Sequence, residues 1–93
     1  MLSKIPINLE TIPEADIDKE ILRAGIIAEL DAINLYEQMA SLAKKDSIKT
    51  VLLDIAREEK THVGEFQTLL LKEDEEQDTE LYKGKKEIDD LVK

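Results

Sequence analysis

Glu29, Glu59 and His62 are the side chains whose types and spacing could do chemistry together. Glu59 and His62 stand three residues apart in Glu-Lys-Thr-His, so on a helix they lie one turn apart on the same side. His62 is the single histidine of the chain. Two carboxylates and an imidazole suit iron or manganese in an octahedral or open site; zinc also binds such a set but has no redox work there. An isolated buried carboxylate escapes its charge by holding a proton. A divalent cation solves the same problem by supplying positive charge.

The elements that must position these groups are helices. Wound at about 3.6 residues per turn, Leu22, Gly25, Glu29, Ile33, Tyr36 and Ala40 fall on one stripe. Ile48, Leu52, Ile55, Glu59, Val63, Phe66 and Leu70 fall on another. A glutamate lies at the centre of each. Asp31, Glu58 and Glu65 turn mostly away, which suits a solvated face or a negative field that guides cations. A lone glutamate on an apolar stripe commonly snorkels, and a lone histidine is more often a satisfied core residue than a ligand. The coincidence of two centred acids with the sole histidine outweighs that reading.

The chain divides into an extended arm over 1–12, helix one over 13–45, helix two over 47–72 and a short helix three over 80–92. Pro13 fits a first helical turn, where its missing N–H costs nothing. Asp46 or Ser47 is suited to cap helix two. The turn before it is so short that the two helices must run antiparallel. The stretch KEDEEQDTE, 72–80, reads as a linker or a solvated helix end. The fold class expected is all-α: an antiparallel two-helix hairpin with a short third helix.

Composition narrows the partners. The 93 residues are enough for one domain, with 42% apolar and 38% charged residues, a mixture that suits helices with one apolar and one polar face. A net charge of -9 argues against nucleic acid and anionic membrane surfaces, both of which call for clustered Lys and Arg. The absence of cysteine excludes disulfides and iron–sulfur clusters. The start, MLSKIPINLETIP, lacks the apolar core of a signal peptide. No apolar run approaches the roughly 18 residues of a membrane span. A cytoplasmic location is the expectation.

Ferritin-like di-iron bundles take a Glu from each of two helices and a Glu-x-x-His from each of the other two. This chain holds half of that set. Two chains, paired about a twofold axis, would complete a ferritin-like four-helix bundle with the site at their interface. Glu59 is then the bridging candidate, with Glu29 and His62 as terminal ligands. Tyr36 could hydrogen-bond a ligand or supply an electron, or it could be an interfacial aromatic with a wet hydroxyl.

The segments IIAELDAINLYEQMA and IAREEKTHVGEFQTLL resemble the encapsulated ferritins, from about Ile17 to Val92. The family's helix-one metal Glu matches Glu29, its Glu-x-x-His matches Glu59 and His62, and its site-proximal tyrosine matches Tyr36. The resemblance implies a ferroxidase that turns Fe(II) into Fe(III) at two irons shared by two chains. It implies homodimers that build an open ring, usually a decamer, inside an encapsulin nanocompartment whose shell stores the mineral. The chain departs from the pattern in places. One of the outer carboxylates that capture incoming metal in the family is Ala28 here, while Asp31 matches the other. Leu35 replaces an aromatic. The family's shell-docking peptide has no evident counterpart at Asp89–Lys93, which fits either a truncated chain or a domain fused to its shell protein. A non-catalytic oligomerisation module and a rubrerythrin-like peroxide reductase are the competing functions.

Overall fold

The computed structural model describes residues 8–92. Three α-helices carry the fold: α1 Ile17–Leu42, α2 Asp46–Glu73 and α3 Glu75–Leu91. Short 3-10 turns at Leu9–Thr11 and Glu14–Asp16 lead into α1. There is no strand among the described residues, so the fold class is all-α as expected. No helix among the described residues is long and apolar enough to cross a membrane.

The helices form because their interiors are rich in Leu, Ala, Glu, Lys and Ile, and no proline interrupts them. Pro13 stands ahead of the 3-10 turn Glu14–Asp16, and the α-helix proper starts at Ile17, later than its spacing suggests. Helix α1 stops at Leu42, three residues short of the expected end. The Ala43 backbone turns extended there while its N–H still donates to the Met39 carbonyl. Lys45 takes the cap position of α2, and Asp46 is its first helical residue rather than its cap. The acid therefore acts on the helix dipole instead of through a side-chain cap. Of the expected arm, residues 1–7 lie outside the described residues, and Leu9–Thr11 coils into a 3-10 turn closed by Asn8.

The third helix departs most from expectation. It starts at Glu75 rather than near residue 80, and a single residue, Asp74, separates it from α2. Asp74 explains both facts. Its carboxylate accepts from the Gln77 amide at 3.0 Å and from Arg23 Nη2 at 2.8 Å. One aspartate thus caps α3 and ties the α2–α3 corner to α1. The Gln77 amide, ahead of the Arg23 guanidinium and the Lys19 charge, holds the Asp74 carboxyl below the usual aspartate range. A carboxyl lowered in the fold stabilises it at neutral pH. That contribution fades as pH falls from the ordinary aspartate value through the lowered one. Asp74→Ala should therefore speed amide exchange over 75–80 at neutral pH and leave α1 and α2 protected. Acidification of the wild type through that window should lower the protection of the same amides relative to their intrinsic exchange rates at each pH. Equal exchange in the variant would remove Asp74 from this role.

Helices α1 and α2 are each about 40 Å long and lie side by side. Ile33, Ala40, Ala56 and Leu70 are the buried side chains along their seam among the described residues. That core is thin. The radius of gyration is 16.5 Å and the extents are 47 × 44 × 19 Å. A compact chain of this length would have a radius of about 12 Å. The hairpin is a slab with α3 splayed from its end, and both broad faces carry exposed apolar side chains. Among these exposed side chains, helical spacing groups Ile21, Met39, Val51 and Leu69 on the side of His62, with Ile27, Leu30 and Leu53 turned to the other.

Candidate metal centre

The hairpin brings Glu29, Glu59 and His62 together. In the antiparallel pairing, Glu29 of α1 falls level with His62 of α2, and Glu59 sits one turn before His62. One ligand atom from each lies within 4.8 Å of the other two. His62 Nδ1 is 3.5 Å from Glu29 Oε2 and 3.5 Å from Glu59 Oε2. The carboxylates are mostly covered, at 18% and 19% side-chain exposure, while the imidazole is 45% exposed. The acids thus form the floor and the histidine the rim.

Glu29 Oε2 is the informative atom. It is buried and has no hydrogen-bond partner. The imidazole at 3.5 Å is too distant to satisfy it. A buried carboxylate oxygen left bare is costly. The cost is removed by a cation at this point, and the oxygen-rich donor set with one nitrogen fits iron or manganese.

The triad opens into a depression of about 400 Å³ lined by Glu29, His62, Glu65, Phe66 and Leu69. Glu65 was not legible as part of it. Helical spacing turns Glu65 away from the stripe, and only the open edge of the slab brings it round to the wall. It follows His62 by three residues, a spacing that could have flagged it. Tyr36 lies two turns beyond Glu29 on α1, half-buried, and does not line the depression. Asp31 is also half-buried, outside the triad. Glu58 is exposed, as the sequence suggested. The depression lies on the face that carries Ile21, Met39, Val51 and Leu69, so the donors sit at the centre of an uncovered apolar surface.

Known proteins share this architecture. The rubrerythrin family pattern matches residues 20–91. The chain is 61% identical over 73 residues to a ferritin-like-encapsulin shell fusion protein of Pyrococcus furiosus. That match covers 78% of this chain, which spans 21% of the curated relative's length. The crystal structure of an encapsulated ferritin domain from Pyrococcus furiosus superposes with a TM-score of 0.84 at 52% identity. It covers 99% of this chain and 96% of that one.

Proposed function

This chain belongs to the encapsulated ferritin family, and from that premise we propose that it is a ferroxidase that oxidises Fe(II) to Fe(III) at a centre shared by two chains. The observation that carries the proposal is the bare, buried Glu29 Oε2 within a Glu–Glu–His group spanning 4.8 Å.

One chain offers two carboxylates and one imidazole. A second chain, laid on the same face about a twofold axis, would bring the full complement of four glutamates and two histidines. Glu29, Glu59 and His62 would hold the cations in this reading, Glu29 and His62 as terminal ligands and Glu59 as the carboxylate shared between them. Fe(II) bound there would be the substrate: two ions losing one electron each would reduce dioxygen to hydrogen peroxide, or peroxide to water, with two protons taken up, and leave as Fe(III). The residues' task is electrostatic. The four carboxylates balance the growing positive charge as Fe(II) becomes Fe(III), so they favour the oxidised state. Glu65 at the wall of the depression and the net charge of -9 draw cations toward it. Phe66 and Leu69 keep the remaining wall apolar and limit water at the donors. Tyr36, on the stripe two turns from Glu29, is assigned a supporting role as a hydrogen-bond partner or electron donor, and Asp31 one as an outer cation contact.

Two exposed apolar faces would let dimers close into a ring, a decamer on the family pattern. The Pyrococcus relative is named as a fusion to an encapsulin shell, and a shell protein is the partner we propose for this chain. Oxidised iron would then be stored inside the compartment. The test is aerobic Fe(II) oxidation followed by absorbance. The wild-type chain should exceed the no-protein control by at least about tenfold, and equality with the control sinks the ferroxidase reading. The rubrerythrin match favours peroxide reduction as the second reading. With no cysteine to hold an internal electron relay, that activity would need an external donor. Faster turnover with peroxide and a reductant than with dioxygen would promote it.

A further inference from the structure

Gly25 and Phe66 form the next level of the hairpin beside Glu29 and His62. Gly25 precedes Glu29 by one turn on α1, and Phe66 follows His62 by one turn on α2. The antiparallel register sets the two opposite each other. A Cβ placed on Gly25 would lie 3.2 Å from Phe66 Cε2 and Cζ and 3.3 Å from Cδ1. The ring therefore lies flat against α1 where the glycine leaves a methyl-sized gap. Gly64 and Gly84 have nothing within 4 Å of the same position, so neither is required by a neighbour. Phe66 also lines the depression into which the triad opens.

We infer that Gly25 and Phe66 are positioning residues for the cation site: the ring seated on the glycine sets how closely α1 carries Glu29 to the Glu59 and His62 of α2. The inference rests on the cation reading of the triad. His62 stands 3.5 Å from both acids and the three ligand atoms lie within 4.8 Å of one another, so a few tenths of an ångström at the adjacent level change the donor separation directly. With a methyl at Gly25, either the ring swings into the depression or the helices part. Either movement disturbs the site, the first by filling its mouth and the second by spreading its donors.

A purely structural role for this glycine would leave cation affinity unchanged. Alanine is the better helix former, so Gly25→Ala should hold or raise the melting temperature if helix stability is all that matters. Our expectation is that the melting temperature holds while cation affinity falls. The probe is Co(II), titrated anaerobically into the full chain and read by its visible absorption, with Glu59→Ala as the control that abolishes the spectrum. Gly25→Ala should weaken binding by about tenfold, the scale of an outer-sphere change at a metal site. Gly25→Ala with Phe66→Leu should recover most of the affinity, because the smaller side chain clears the methyl. Unchanged affinity in Gly25→Ala, with normal Co(II) binding by wild type, overturns the inference alone. A double variant as weak as Gly25→Ala overturns it too, since the ring would not carry the effect. No Co(II) binding by wild type overturns the cation reading and this inference with it.

Discussion

Glu59→Ala should reduce aerobic Fe(II) oxidation to the rate of the no-protein control, a loss of at least about tenfold. Its position gives the effect its size. Glu59 sits one turn before His62, 3.5 Å from the imidazole that also faces Glu29, and is 19% exposed. In the proposed centre it is the donor assigned to bridge, so its loss would weaken the hold on both ions. The fold should survive. Two acids share a small, poorly solvated space, and removing one relieves repulsion between like charges. The helix itself gains from alanine. Far-UV circular dichroism of the metal-free variant should therefore match wild type, and its melting temperature should be equal or higher. Glu59→Gln keeps the shape, loses the charge, and should fail almost as badly. Oxidation at the wild-type rate by either variant would mean that the chemistry lies elsewhere on the chain.

The same residue shows why the site was legible in the sequence. Apolar stripes position a helix pair, and a carboxylate at the centre of each stripe has no business there without a counter-charge. The short turn brings the two stripes together, while the level at which Glu29 meets His62 comes from the structure. Other features depend on contacts that spacing does not encode. Asp74 looked like one acid in an acidic stretch. Its role comes from Arg23, fifty-one residues away, and from the Gln77 amide. With those partners the supposed linker becomes a cap, and α3 begins five residues earlier than its apolar pattern. Glu65 points away from the stripe by angle alone. It reaches the depression because the slab leaves that edge uncovered. Gly25 reads on a helical wheel as a small apolar residue. Its value appears only once Phe66 is seen lying on it at 3.2 Å from the missing methyl.

The second large effect concerns assembly, and Val51→Lys isolates it. Val51 is 57% exposed and stands two turns before Glu59, on the face that carries the triad. A lysine there keeps every donor atom, yet it must be desolvated if a second chain covers the face. Pairing on this face should be lost. Light scattering should show the mass falling toward the 10.6 kDa of one chain, and Fe(II) oxidation should fall with it although Glu29, Glu59 and His62 are untouched. Leu53→Lys is the comparison. Leu53 is 52% exposed on the opposite face, so the variant should limit larger rings while dimers persist and oxidation continues. The two variants carry the same charge change on the same helix and differ in the face they disable. A Val51→Lys chain that is monomeric and still oxidises iron would place the whole centre in one hairpin. An unchanged mass would move the chain-to-chain contact off the site face. Loss of mass and activity together, in Val51→Lys and not in Leu53→Lys, is the outcome expected of a centre that a second chain must complete.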